Sequence, residues 1–428
     1  MERLAILGGK KLREKPFVTH AVIGEEERER VSKVLDSGML SGFIAQAGDH
    51  FLGGEQVKEL ESLVREYFNA KHAVSVNSAT AALHVAAAAC GIGPGDEVIV
   101  TPYTMCASAT AAIMMNAIPV FVDIDEKNFC IDPSKIKEAV TPRTKAIIVV
   151  HLFGLAADMD EITEIAKEHK LRVIEDCAQA PGATFKDRLV GTIGDIGVFS
   201  LNQHKTITSG EGGFVITGDD DMALKMQLVR NHGEVITEKM ELEDIAGVVG
   251  FNYRMTELEA AVAVGQFRRL DSLTEHRIGL AEYLTEGLSN IDGLTLPEMP
   301  DHKKHVYFVY PIRLDEKVIG VSRDKFVKAL VAEGIPCGAG YVRPIYLEPL
   351  YQKRIAYGKE GCPFTCPIYK GSVNYDKGIC PVTEMMHEKE LMVTGVCKYP
   401  HTRDDIDDVV KAFKKVIENR AALADLKE

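Results

Sequence analysis

Apolar positions recur along this chain with a helical period in some stretches and as short unbroken runs in others, and the switches between the two predict the elements. Residues 25–37 read as a helix, residues 38–54 as a glycine-containing connection, and residues 55–68 as a second, amphipathic helix. Short apolar runs then follow at residues 97–100, 119–122, 146–150 and 172–174, with helical stretches between them. Strand and helix patterns in alternation predict a mainly parallel sheet covered by helices on both faces. Residues 213–217 add a further strand, and a long helical pattern with little glycine runs from Thr256 to about Asn290. A smaller domain is expected from near Lys304, with residues 306–312 as a strand and residues 323–333 as a helix. The expected fold class is α/β: a large three-layer α/β/α domain with a smaller α+β domain at the C-terminal end. In this division residues 1–290 hold the N-terminal segment, the large domain and the linking helix, and residues 291–428 the small domain. No internal repeat or low-complexity tract interrupts it.

Composition narrows the partners. The 428 residues are 46% hydrophobic, enough for a large core and a smaller one. A net charge of −13 and a pI near 5.6, with no basic stripe, count against nucleic acid and against an anionic membrane. The apolar run at the start is too short for a signal peptide, and no stretch approaches the roughly 20 apolar residues that span a bilayer. A cytoplasmic location is expected. Nine cysteines, an odd number, fit a reducing compartment better than a disulfide framework. Cys362 and Cys366, followed by Cys380, His387 and Cys397, invite a zinc reading, but their gaps do not form paired knuckles and no metal is expected.

The most telling stretch is Gly197-Val-Phe-Ser-Leu-Asn-Gln-His-Lys-Thr-Ile-Thr-Ser-Gly-Glu-Gly-Gly213, which sets Lys205 between apolar segments and a glycine cluster. A partly buried lysine loses hydration of its ammonium, and its free amine can then attack a carbonyl. Upstream, Arg172-Val-Ile-Glu-Asp-Cys-Ala-Gln179 is a short apolar strand that delivers Asp176 at its carboxyl end, where open α/β sheets bind ligands. Pyridoxal phosphate chemistry needs a lysine for the Schiff base and a carboxylate opposite the pyridine nitrogen. Lys205 and Asp176 suit those two roles, although Asp176 alone also reads as a helix N-cap. Earlier still, a strand ending at residues 76–78 meets an alanine-rich helix, and Ser78 and Thr80 stand at that junction. A helix N-terminus offers unpaired N–H groups to a phosphate, and it equally reads as an ordinary cap.

These segments, with Gly91-Ile-Gly-Pro-Gly-Asp-Glu-Val, Pro119-Val-Phe-Val-Asp-Ile-Asp, His151-Leu-Phe-Gly, Gly210-Glu-Gly-Gly and Gly250-Phe-Asn-Tyr-Arg-Met, resemble the sugar aminotransferases of the DegT/DnrJ/EryC1/StrS family, within the fold-type I pyridoxal phosphate enzymes. The resemblance covers most of the chain. It implies Lys205 as the Schiff-base lysine, Asp176 at the ring nitrogen, Tyr103 stacked on the ring face and Gln179 near the ring hydroxyl. It places the phosphate on Ser78, Ala79, Thr80 and Ser200, with Asn252 reaching in from a neighbouring subunit, so that a homodimer shares its sites. Ala79 stands where many relatives have glycine, and Asn202-Gln203-His204 where many carry histidine and proline.

The implied reaction has two halves, with glutamate or glutamine as amino donor and a keto or aldehyde sugar as acceptor. The acceptor is either nucleotide-linked or a keto-octulosonate-type sugar acid, the product serving surface-polysaccharide or lipopolysaccharide synthesis; a cyclitol ketone ranks behind. Four candidates could meet it. His204 and His232 could bond hydroxyls or a carboxylate, or be satisfied structural histidines. Tyr341 and Arg343 could meet an anionic group, with a surface salt bridge the alternative for Arg343. Two other classes stay open: a dehydratase or lyase using the same lysine, which the presence of Lys205 disfavours, and a cofactor-binding regulator, disfavoured by the acidic charge and the short N-terminal segment.

Overall fold

The computed structural model describes residues 2–237 and 248–424. Its strands are β1 (His72–Val76), β2 (Glu97–Val100), β3 (Ile118–Phe121), β4 (Thr144–Val150), β5 (Arg172–Asp176), β6 (Thr184–Phe185), β7 (Arg188–Leu189), β8 (Ile196–Ser200), β9 (Gly213–Thr217), β10 (Leu294–Thr295), β11 (Lys303–Lys304), β12 (Tyr310–Leu314), β13 (Gly338–Ala339) and β14 (Leu391–Thr394). Around them lie α1 (Glu25–Ser37), α2 (Glu55–Phe68), α3 (Ala79–Ala89), α4 (Ala107–Met114), α5 (Pro133–Ala139), α6 (Met159–His169), α7 (Asp220–Arg230), α8 (Glu257–Arg268) and α9 (Leu270–Leu288). Towards the C-terminus follow α10 (Glu316–Ile319), α11 (Arg323–Glu333), α12 (Pro349–Lys353), α13 (Pro381–Met385) and α14 (Arg403–Glu418).

Seven strands form the central sheet in the order β1-β9-β8-β5-β4-β2-β3. Pairing is parallel from β8 through β5, β4 and β2 to β3, while β9 runs antiparallel to both of its neighbours. The apolar runs are unbroken because both faces of the sheet are covered. Ile99, Ile147, Val149, Val173 and Phe199 point into a core with α2, α6 and α8. Val98, Val100, Ile148, Ile174 and Val198 point into the opposite core, beneath α3, α4 and α7. Three layers result, as the alternation of patterns predicts.

A second antiparallel sheet, β10-β12-β14-β13, packs on the latter part of α9 and on α11 and α14. The cores do not divide along the chain at residue 290. Leu4 and Phe17, from the start of the chain, lie in the small-domain core, where the buried carboxylate of Glu333 accepts from the N–H groups of Ala5 and Leu12. Tyr346, Tyr351, Tyr375 and Cys380 instead join the core of the central sheet beneath α3 and α4. Apolar side chains decide membership by the surface within reach, not by position in sequence.

Two elements differ from the sequence reading. The helical pattern expected over residues 256–290 is two helices, broken at Arg269, whose φ of −97° and ψ of 0° leave the helical region. The strand expected over residues 306–312 begins only at Tyr310, because Tyr307 is left-handed at φ 48° and the N–H groups of Val306 and Phe308 bond the carbonyls of Gly154 and Phe153. No helix among the described residues is long and apolar enough to cross a membrane.

Candidate active site

The carboxyl ends of the parallel strands and the first turn of α3 meet at one edge of the sheet. β5 is central, and Asp176 ends it, almost fully buried. Its Oδ2 accepts from Ser108 Oγ at 2.7 Å and its Oδ1 from the Ala178 N–H at 3.1 Å. Both donors are neutral. A buried carboxylate without a cation is costly to keep, so this one is suited to a positive group that arrives with a ligand.

Lys205 lies on the loop between β8 and β9. Leu201 closes that loop, its N–H donating to Gly212 O and its carbonyl accepting from the Ser209 N–H, both at 2.9 Å. Gly212 sits at φ 148°, and a Cβ there would fall 2.5 Å from Ser209 Oγ, so the glycine cluster is what lets the loop close. The Lys205 ammonium stands 4.6 Å from the centroid of the Phe308 ring. Burial pushes it below the ordinary lysine range, with the charge on Asp176 acting the other way. The two groups feel each other without pairing, and more of the lysine is free amine at neutral pH than on an open surface.

Beside them the first turn of α3 is open. Ser78 is the N-cap, its Oγ accepting from the Ala81 N–H at 3.1 Å, and Ala79 and Thr80 occupy the first turn, where amides have no partner within the helix. Gly213 explains how β9 comes so close: a Cβ there would fall 2.8 Å from Ala79 N and 2.7 Å from Phe199 O. Ser200 ends β8 and is buried, and its Oγ accepts from the Asn202 N–H at 3.3 Å. The buried hydroxyl of the neighbouring Thr206 has no partner.

The aromatic wall comes next. Tyr103 is fully buried after β2, and its hydroxyl accepts from the Tyr341 N–H at 3.1 Å. Gln179 bridges the wall to β5: its Oε1 accepts from the Phe153 N–H at 2.9 Å and its Nε2 donates to the Tyr341 hydroxyl at 3.0 Å. Burial pushes the Tyr341 phenol up to about 12, which keeps it protonated. The Tyr341 ring packs edge-on against Tyr103 and Phe153.

Lys205, Asp176, Tyr103, Gln179 and Tyr341 are thus brought together, with Ser78, Ala79, Thr80 and Ser200 at the adjacent helix turn and strand end. His204 is exposed next to Lys205 and lines the same cleft. His232 lies elsewhere, left-handed after α7, its N–H donating to Phe251 O at 3.2 Å in the segment that carries Asn252. Asn252 is exposed; its Oδ1 accepts from Arg254 Nε at 2.8 Å and its carbonyl lies 3.5 Å from Asn77 Nδ2. Arg343 is more than half exposed and stands 3.9 Å from Glu348. Sequence reasoning missed Ser108, Phe308 and Thr206, which touch or flank the central pair, because a single hydroxyl in an alanine-rich helix and a phenylalanine in an apolar run carry no readable spacing.

Among the described residues one group of three, His151, Glu175 and Cys177, has metal-ligand composition. It is a closed structural network. Glu175 accepts from His151 Nε2 and from the N–H groups of Gly191, Ile193 and Gly194, all within 2.9 Å. Burial, then the charges on Glu175 and Asp176, push the Cys177 thiol well above its ordinary value, so no thiolate is present to ligate.

The donors present fit pyridoxal phosphate: open helix amides for a phosphate, a buried carboxylate lacking a cation, an unpaired lysine and a partnerless buried hydroxyl. Residues 22–390 match the model of the DegT/DnrJ/EryC1/StrS aminotransferase family. The chain is similar to the GDP-perosamine synthase of Caulobacter vibrioides, 38% identical over 76% of this chain and 84% of that one. It is likewise similar to the L-glutamine:scyllo-inosose aminotransferase of Streptomyces griseus, 34% identical over 97% and 98%. The crystal structure of an aminotransferase from Psychrobacter cryohalolentis superposes with a TM-score of 0.81 at 31% identity, covering 94% of this chain and 99% of that one.

Proposed function

This chain belongs to the DegT/DnrJ/EryC1/StrS aminotransferase family, and from that membership we propose that it moves an amino group from glutamate or glutamine to the carbonyl carbon of a sugar. It is an aminotransferase and pyridoxal phosphate is its cofactor. The observation that supports the residue assignment is the placement of Lys205, on the loop after β8, within reach of the charge on Asp176 at the end of the adjacent β5, the two unpaired. In this reading the amides of Ala79 and Thr80, with the hydroxyls of Ser78, Thr80 and Ser200, hold the phosphate. Tyr103 supplies the aromatic face, Gln179 the contact at the ring hydroxyl, and Asp176 the negative charge opposite the ring nitrogen. Asn252 of a second copy completes the phosphate site, and the working unit is a homodimer.

The cofactor, when bound, supplies an electron sink for the carbanion formed at the donor's α-carbon. Lys205 would do the proton work: its Nζ, as a free amine, would take the proton from the donor's α-carbon and hold it for return. A positioned acid–base group contributes about 10²–10⁴ in rate. The buried aromatic wall of Tyr103 and Tyr341 keeps water from that proton, and the second half runs the same moves in reverse on the acceptor.

For the acceptor, a nucleotide-linked keto sugar or a keto-octulosonate-type sugar acid is our reading, in amino-sugar synthesis for a surface polysaccharide or lipopolysaccharide. A name of the first kind belongs to the Caulobacter relative, GDP-perosamine synthase. The second reading is a cyclitol ketone, favoured by the Streptomyces relative, whose likeness spans 97% of this chain and whose name also gives glutamine as donor. The test is the half-reaction. The cofactor-loaded protein is mixed with glutamate and, separately, with glutamine, and its visible absorbance is followed. Bleaching with formation of the matching keto acid identifies the donor. A protein that holds the cofactor and bleaches with neither overturns the donor assignment.

A further inference from the structure

We infer that the cleft beside Lys205 is a carboxylate-binding subsite in which Lys398 meets the carboxylate of a substrate. The inference rests on the transamination reading, because Lys205 forms part of the cleft wall. The cleft holds about 210 Å³, and His20, His204, Lys205, Arg277 and Lys398 all line it, with no aspartate or glutamate among its described lining residues. In a chain of net charge −13, such a concentration of basic side chains calls for an explanation.

Among the described residues neither Arg277 nor Lys398 has an acidic partner. Arg277, only 7% exposed, gives its Nη1 to the carbonyls of Tyr307 and Phe308, both at 3.0 Å, and its Nε is buried with no partner. Lys398 donates to the carbonyl of Thr19 at 3.0 Å. These partners are neutral. Burial lowers Arg277 to about 10 and also lowers Lys398, with the positive charge of Arg277 as the second cause for the lysine. Buried positive charges without a counter-ion favour an anion that enters from solvent.

Lys398 is the group to meet it. Arg277 is buried, with its Nη1 tied to two carbonyls, whereas Lys398 is only half-buried and of its three ammonium donors uses one on Thr19. At about 210 Å³ the cleft is smaller than the roughly 300–1,000 Å³ of pockets for drug-sized ligands, so it admits the carboxylate end of a small molecule and not a nucleotide. Sharing a wall with Lys205, it belongs to a substrate. Two sources carry that chemistry: the amino-acid donor and an acceptor that is itself a sugar acid.

The experiment is calorimetric titration of the cofactor-loaded protein with glutarate, a non-reacting mimic of the donor's carbon skeleton, and with gluconate, a simple sugar acid. Wild type is compared with Lys398→Gln, which keeps a donor for the Thr19 carbonyl while removing the charge, and with Lys398→Arg. Retained cofactor absorbance shows that each variant is folded. At least one ligand is expected to bind wild type, to bind about tenfold or more weakly to Lys398→Gln, and to recover in Lys398→Arg. Sensitivity to glutarate assigns the subsite to the donor and sensitivity to gluconate to an acid acceptor. Binding of neither, or equal binding to wild type and Lys398→Gln, overturns the inference. Neither ligand carries an amine, so carboxylate binding through Lys398 in a protein that fails to bleach would separate this inference from the transamination reading.

Discussion

The proposed cofactor side of the site and the cleft beside Lys205 are assembled in different ways. On the cofactor side, Asp176 and Ser200 end adjacent strands and Ser78 caps the helix after β1, so hydrogen bonding within one sheet sets their spacing. In the cleft, residues 19–22 and 203–206, with Gln266, Arg277, Phe308 and Lys398, come from segments beside both sheets and share no strand. A sheet turns a local motif into geometry directly, since strand separation and register are fixed by the ladder. A cleft between domains has its geometry only after the domains dock.

This contrast can be broken by mutation. Changes on the cofactor side should alter cofactor retention or the chemical step whatever the ligand, and changes in the cleft should alter only the concentration of ligand required. The largest effect is expected for Lys205→Ala, which removes the amine proposed to transfer the proton: turnover should fall by at least about 10²–10⁴, with loss of the visible absorbance and retained circular dichroism. Near-normal turnover would remove Lys205 from the mechanism. Asp176→Asn should follow, at roughly 10²–10³ in kcat with smaller loss of cofactor, the scale seen when one preorganised electrostatic partner is withdrawn. Gly213→Ala forces a methyl to 2.8 Å from Ala79 N, and about 2 kcal/mol of overpacking should weaken cofactor binding by roughly 30-fold in equilibrium dialysis. The smallest of the four is Ser108→Ala. Losing one neutral donor to Asp176 should cost about 1 kcal/mol, a roughly fivefold fall in kcat with little change in the donor's KM. A change in KM alone would place Ser108 with the cleft and dissolve the contrast.

Much of the architecture was readable beforehand, and the reasons are local. Residues 25–37, 55–68, 97–100 and 213–217 form the elements their patterns predict, because amphipathic periodicity and buried apolar runs are properties of short segments. Long-range decisions were not readable. The break at Arg269 lies within an uninterrupted helical pattern, and the late start of β12 depends on bonds to Gly154 and Phe153, far away in the chain. The segment with Cys362 and Cys366 drew notice in the sequence only for its cysteine spacing, yet Tyr346, Tyr351, Tyr375 and Cys380 around it enter the core of the central sheet.

The same division holds for the site. Lys205 between apolar residues and glycines, Asp176 at the end of a strand, and Ser78 at the start of a helix were visible as single residues in local contexts, each context being complete within about ten residues. By itself the sequence determined the α/β alternation and the family, and it supplied the candidates proposed for the pyridoxal phosphate site. Only the tertiary structure decided that Ser108 supports Asp176, that Phe308 faces Lys205, and that Arg277 and Lys398 share a cleft with it. These are contacts between residues far apart in the chain, fixed by which apolar faces of which elements pack together, and no spacing along the chain encodes that choice.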